Sequence, residues 1–268
     1  MAAVAVSRID SAFAELRRTR RTGLITYVTA GDPDLDRSAG ILTTLAHAGS
    51  DLIEVGVPFS DPLADGPVIQ RASERALAAG ATMTTTLELI ARVRADVAVP
   101  IVAFTYANPV LRMGIEAFAE RAAAAGVDGV LILDLPIEEA GPVRAVLERV
   151  ALDQIFLLSP TTTTERIGRA AKEGRGFLYG ISRLGVTGAR DRLADGAEAL
   201  VGRIRAVATL PIALGFGISR PEHVVQVGRW ADAAVVGSAL VNVIADAGPS
   251  PDLQRRVEDY VGWLKSGA

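Results

Sequence analysis

Apolar residues along the chain fall into short continuous runs rather than alternating with polar ones. The runs are GLITYVT (23–29), DLIEVGV (51–57), PIVAFTY (100–106), GVLILDL (129–135), QIFLLS (154–159), GFLYGIS (176–182), PIALGFG (211–217) and AAVVGS (233–238). Parallel strands buried on both faces produce this pattern. Polar turns and stretches with helical periodicity separate them, such as LDRSAGILTTLAHAG (35–49) and IEEAGPVRAVLERV (137–150). Eight strand–helix pairs predict a parallel sheet closed on itself, an α/β fold of the (β/α)8 TIM-barrel type. Ser7 as a helix cap, followed by Ile9, Phe13 and Leu16 on one face, predicts an extra N-terminal helix covering something apolar.

The pattern also repeats in its letters. AGSDLIEVG, AGVDGVLILD and RWADAAVVGS share a helix end, a turn, an aspartate and then a strand, and VAVPIVAF and ATLPIALG share a proline at the strand start. A doubly wound open sheet is the competing architecture, but it calls for a glycine fingerprint after the first strand, and TAGDPD lacks one. No linker or low-complexity segment divides the chain, so residues 1–268 are expected to form a single barrel domain, near the roughly 250 residues typical of that fold.

Composition narrows the chemistry. With 28 basic and 31 acidic side chains and no basic stripe, a nucleic-acid partner is not expected. Cysteine is absent, which excludes disulfides, thiolate metal ligands and a cysteine nucleophile and fits a cytoplasmic location. The two lysines, Lys172 and Lys265, stand away from strand ends, so an imine mechanism is not expected. The two histidines, His47 and His223, are too few for a histidine-built zinc site, and no metal is expected. His47 reads as a helix-end residue, His223 as an exposed residue of a first helical turn, and RRTRR (17–21) as a solvated helix end. No run reaches the roughly 18 apolar residues of a membrane span. The N-terminus has too short an apolar stretch for a signal peptide, and its arginines follow that stretch; a transit peptide is the alternative to the N-terminal helix. Chemistry therefore falls to carboxylates, hydroxyls and backbone groups.

In such barrels the reacting groups gather at the C-terminal ends of strands. Three turns there hold more than a helix cap. After the second strand, Glu54 lies inside an apolar run and faces either the barrel interior or the helix layer, with Asp61 and Asp65 on the proline- and glycine-punctuated loop beyond. A glutamate paired with an arginine is the structural reading; clustered carboxylates at a strand end favour acid–base work by one and charge stabilisation by another. After the sixth strand comes a loop of about fifteen residues, a length typical of lids, with Gly185 and Gly188 as hinges or phosphate contacts; a merely solvated loop is the other reading. After the seventh and eighth strands, GFGIS (215–219) and Gly237-Ser238 bring small residues together. There backbone amides can approach an anion, and Ser238 is expected to cap a short helix; tight turns alone are the alternative. Asp134 reads equally as a catalytic group or a turn former, and Tyr106 and Asn108 as candidates to line a pocket.

Taken together, LIEVGVPFSDPLADGP (52–67), TAGDP (29–33), YANP (106–109), SRLGVTG (182–188), GFGIS (215–219) and VGSA (236–239) resemble the tryptophan synthase α-subunit family, in the expected order along essentially the whole chain. The resemblance implies a lyase of tryptophan biosynthesis that cleaves indole-3-glycerol phosphate to indole and glyceraldehyde 3-phosphate by a retro-aldol step, without cofactor or metal. It implies Glu54 as general acid/base, Asp65 as the carboxylate at the indole nitrogen and Tyr179 near the glycerol chain. It also implies a phosphate cradle of Gly188, Gly217, Gly237 and Ser238, and a pocket around Tyr27, Phe104, Tyr106 and Ile69. Arg183 and Thr187 would lie in the lid, with Thr187 reaching Asp65, and Pro58 and Asp61 at the partner interface. That partner would be a pyridoxal-phosphate β subunit in an α2β2 heterotetramer. The alternatives are a stand-alone lyase that releases free indole and a catalytically silent regulatory barrel; the retention of Glu54 and Asp65 counts against the latter.

Overall fold

A computed structural model describes residues 6–181, 196–215 and 217–266. The strands are β1 Gly23–Thr29, β2 Leu52–Gly56, β3 Ile101–Thr105, β4 Gly129–Ile132, β5 Asp153–Leu158, β6 Leu178–Ile181, β7 Ile212–Gly215 and β8 Ala233–Val236. They pair in sequence order, all parallel, and β8 pairs back on β1 to close the barrel. Each strand falls within an apolar run or one residue outside it, and most runs overshoot because their last residues enter the following turn; β4 stops at Ile132, three residues before its run ends.

Helix α1 (Arg8–Thr19) precedes the barrel, and α2 (Leu35–Ala48) joins β1 to β2. Two helices each follow β2, namely α3 (Pro67–Ala78) and α4 (Met83–Val93), and β3, namely α5 (Ala107–Met113) and α6 (Ile115–Ala125). Then come α7 (Gly141–Arg149), α8 (Thr164–Glu173), α9 (Ala197–Arg205) and α10 (Pro221–Gly228), one between each later pair of strands. The last strand leads to α11 (Ser238–Ala247) and α12 (Leu253–Lys265).

Side-chain alternation divides the core in two. On β2, Ile53 and Val55 face the helices, whereas Leu52 and Glu54 face the barrel axis. The same parity turns Ile25, Val102, Leu131, Ile155, Tyr179, Ala213, Ala233 and Val235 inward. Helix α1 closes the N-terminal mouth. Ser7 caps it by accepting from the Asp10 amide, and Ile9, Phe13 and Leu16 join the inward cluster, with the Phe13 ring 5.5 Å from that of Phe177. Its polar edge is tied down by Arg8 Nη1 to Asp128 Oδ1 (2.8 Å) and by Ser7 Oγ to Asp153 Oδ2 (2.8 Å). The predicted N-terminal helix and its apolar face are therefore present.

The repeated aspartates have a shared task at that mouth. Asp51, Asp128 and Asp232 each precede an even-numbered strand and clamp the start of the strand before it. Each donates its amide to a backbone carbonyl, of Leu24, Ile101 and Ile212 respectively, and accepts that residue's N–H on its carboxylate at 2.7–2.8 Å. Arginines and a lysine neutralise these carboxylates: Arg21 and Lys265 at Asp51, Arg8 and Arg94 at Asp128, Arg205 at Asp232. A half-buried carboxylate would otherwise be expensive to bury.

Candidate active site

At the opposite, C-terminal mouth a cavity enclosing about 590 Å³ of empty space, part of it continuous with solvent, sits over the barrel axis. Glu54 lies on its wall, on β2, between Tyr27 of β1 and Val102 of β3 in the register of the sheet. Its side chain is fully buried, and neither carboxyl oxygen has a hydrogen-bond partner among the described residues. The arginine-paired reading is thus not what the fold provides. Burial alone pushes the Glu54 carboxyl up to about 8, because an ion there has no compensating charge.

Asp65 also lines the cavity, from the loop between β2 and α3, and is buried. Unlike Glu54 it has a donor: the Tyr106 hydroxyl donates to Oδ2 at 3.0 Å while accepting the Ala64 amide at 3.1 Å. Burial raises Asp65 to about 6, less than Glu54, since the Tyr106 hydrogen bond favours its charged form. At neutral pH the cavity therefore holds one neutral carboxylic acid and one carboxylate, a division suited to proton delivery beside a developing positive charge. A pH profile follows. The rate at low substrate should rise through about 6 as Asp65 ionises and fall above about 8 as Glu54 loses its proton. Initial rates between pH 5 and 9 test this, and a flat profile would remove both carboxylates from the chemistry.

The remaining wall is apolar and aromatic. Tyr27 and Phe104 meet edge to face, with centroids 5.2 Å apart, and Ile69 packs against Tyr27. The Tyr27 hydroxyl finds a partner in Thr29 Oγ1 at 3.4 Å. Tyr27 and Tyr179 each lie against a glycine of the neighbouring strand: a Cβ on Gly56 would come within 2.2 Å of the Tyr27 oxygen, and one on Gly215 within 2.3 Å of the Tyr179 oxygen. Both strands must carry glycine there for the two rings to fit. Gly217, Gly237 and Ser238 line the same cavity, so the small-residue turns after β7 and β8 converge on it.

Several expectations need correction. Ser238 is not the helix cap; Gly237 precedes α11 as its cap, and Ser238 opens the helix without a side-chain capping bond. His223 lies in the first turn of α10 as expected, but it is 5% exposed, turned inward to accept the Ser219 amide on Nδ1 (3.2 Å). Asp134 does not line the cavity; from the loop after β4 it accepts the Ala107 amide at 2.6 Å and so caps the first turn of α5. Tyr106 stands behind Asp65 rather than on the cavity wall, and Asn108 lines a separate groove shared with Pro58. Asp61 is exposed on the loop beside that groove and accepts from Ser60. His47 is in the last turn of α2, and of the RRTRR segment Arg21 is ion-paired with Asp51 rather than merely solvated. Arg183, Thr187 and Gly188 lie outside the described residues. Leu133, Leu157, Val235, Ile218 and Ala64 also line the cavity without having been singled out. Strand parity, counted from Glu54, would have found Leu133, Leu157 and Val235.

Comparison with known proteins bears on the family and the fold. Residues 13–265 match the family model described as tryptophan synthase alpha chain. The tryptophan synthase alpha chain of Solibacter usitatus is 47% identical over 262 residues, 98% of each chain, and that of Geobacter sulfurreducens is 48% identical over 260 residues, covering 97% of this chain and 98% of the relative. Among solved structures, a Mycobacterium tuberculosis tryptophan synthase chain superposes with a TM-score of 0.90 at 40% identity, covering 98% of both chains. Tryptophan synthase subunit alpha from Legionella pneumophila superposes with a TM-score of 0.89 at 34% identity, again over 98% of both. Matches of this extent and identity settle the family, and the chain belongs to the tryptophan synthase alpha chain family.

Proposed function

We propose that Glu54 and Asp65 divide the acid–base work of the family's reaction, the cleavage of indole-3-glycerol phosphate to indole and glyceraldehyde 3-phosphate. Protonated Glu54 delivers its proton to C3 of the indole ring. The resulting ring cation is held by the Asp65 carboxylate, which accepts the indole N–H. Glu54, now ionised, takes the proton of the hydroxyl on the glycerol carbon attached to C3. As that oxygen becomes the aldehyde carbonyl, the carbon–carbon bond breaks and its electron pair returns to the ring. One proton leaves Glu54 and one returns, so the site is regenerated without a cofactor.

The observation that carries this reading is the buried, unpartnered Glu54 carboxyl in a cavity shared with the hydrogen-bonded Asp65. Tyr27, Phe104 and Ile69 suit an indole ring, Tyr179 the glycerol chain, and Gly217, Gly237 and Ser238 at the start of α11 the phosphate. By the family resemblance Gly188 would join the phosphate contacts and Arg183 and Thr187 a lid; all three lie outside the described residues.

The family implies a β subunit as partner, which carries the pyridoxal phosphate. We assign the meeting surface to the groove lined by Pro58, Phe59, Met83 and Asn108, near Asp61, within an α2β2 heterotetramer. Support comes from Leu63 and Leu111, which are 88% and 60% exposed on the loop after β2 and on α5, a costly display of apolar surface unless covered. Among the described residues no helix is long and apolar enough to cross a membrane, and the proposed location is the cytoplasm.

Indole release from indole-3-glycerol phosphate tests the reading. Slow release by the purified chain, rising steeply when a tryptophan synthase β subunit is added, is the expected result. Fast release without the partner would make the chain a stand-alone lyase. No release in either condition would leave a silent barrel and end the proposal.

A further inference from the structure

The turn that carries Gly217 is held from outside the cavity by two side chains remote from the reacting carbons. Gly217 has φ +84°, a left-handed conformation that favours glycine, and Gly217 and Ile218 line the cavity. The next residue, Ser219, is gripped at both of its backbone groups. Its amide donates to Nδ1 of His223, in the first turn of α10, at 3.2 Å, and its carbonyl accepts the hydroxyl of Tyr260, on α12, at 3.0 Å. Helix α12 is itself fixed: Lys265 bonds Asp51 at 2.6 Å, and Leu253, Val257, Val261 and Leu264 are buried. Burial pushes the Tyr260 hydroxyl up to about 12, so it remains a donor at any working pH.

We infer that Tyr260 and His223 are positioning residues for the phosphate end of the substrate: together they fix the Ser219 peptide groups and thereby aim the amides of the Gly217 turn at the anion. This rests on the reading above that Gly217, Gly237 and Ser238 hold the phosphate. Neither side chain lines the cavity, so each acts through the turn rather than on the substrate. The C-terminal helix is then part of the binding machinery although it makes no wall of the site. An anion cradle made of backbone amides needs such bracing, because amide direction changes with small rotations of φ and ψ and a charge-assisted hydrogen bond weakens steeply off axis.

The test uses the full chain with its β subunit and four variants. Tyr260→Phe removes one oxygen and keeps the ring. His223→Ala removes the acceptor, His223→Asn places an oxygen where Nδ1 stood, and Gly237→Asp puts a negative charge in the cradle itself. A Cβ at Gly237 meets only ordinary contacts, the nearest being Tyr27 Cβ at 3.6 Å, so the substitution does not strain the neighbouring packing at its Cβ and places its carboxylate at the cavity wall. Kd for inorganic phosphate and for indole, each bound alone, and kcat and KM for indole-3-glycerol phosphate are measured. Losing one neutral hydrogen bond that orients a charge-binding turn should raise the phosphate Kd and the substrate KM together by about threefold to tenfold. Indole Kd and kcat should stay within about twofold, and His223→Asn should restore most of what His223→Ala loses. An unchanged phosphate Kd in Tyr260→Phe, with Gly237→Asp clearly weakened, overturns the inference and leaves the phosphate reading standing. Equal loss of phosphate and indole binding also overturns it, as general loosening. If even Gly237→Asp binds phosphate normally, the phosphate reading falls and the inference falls with it.

Discussion

Glu54→Gln is expected to lower kcat/KM by at least about 10²-fold and as much as about 10⁴-fold, the range that a positioned general acid/base contributes, while making the protein more stable. The two halves have one cause. The Glu54 carboxyl is held at about 8 in the folded chain, against an ordinary value of 4.5, because it is buried without a partner. Between those values the folded protein keeps a proton that the unfolded chain has released, so stability falls as pH rises from about 4.5 to about 8. At about 1.4 kcal/mol per unit, the cost at pH 7 is on the order of 3 kcal/mol. Glutamine fills the same volume and cannot ionise, so the cost disappears together with the proton. Thermal melts across pH 5–9, set beside indole-release rates, check both halves. A variant that retains activity within a few-fold would make Glu54 structural. One that loses activity and is also less stable at pH 8 would mean that Glu54 has a native partner in the folded chain.

The second large effect is at the other end of the barrel. Phe13→Ala should destabilise the chain by about 3–5 kcal/mol, as expected for a fully buried phenylalanine whose site cannot collapse. Phe13 is 2% exposed and packs on Phe177 among residues from most of the strands, while α1 is held over them by Ser7 and Arg8. Because the helix is pinned at its polar edge, it cannot settle into the space left by the ring. Urea unfolding should show a lower midpoint with an unchanged slope, and activity per folded molecule should be near normal, since the cavity opens at the opposite mouth. A loss under about 1 kcal/mol would mean that α1 merely rests on the barrel.

What the sequence makes legible follows from what it records. Continuous apolar runs report burial on both faces, so all eight strands are readable, and the aspartates before β2, β4 and β8 mark a real repeat. Glu54 and Asp65 stand out as carboxylates at a strand end, but their division of labour depends on which way a side chain points and on Tyr106 arriving from β3's end. No local pattern carries that. His223 illustrates the same limit: a first helical turn is solvated on one side only, and nothing in PEHVV says which side faces the Ser219 turn. Leu133, Leu157 and Val235 are invisible singly because they look like any strand residue; they become a pocket only when eight strands bring their inward positions together.

One detail of the N-terminal mouth bears on how the chain finds its single arrangement. A ring of four similar strand pairs offers an incoming helix four similar berths. At three of them the inward residue at the foot of the even strand is Leu52, Gly129 or Ala233, none of which offers a ring to pack on. At the fourth, at the foot of β6, the matching inward residue is Phe177, just before Leu178, and that is the side chain on which Phe13 rests. A single departure from the repeat thus serves as an address: it breaks the degeneracy of the ring and tells the first helix where to dock.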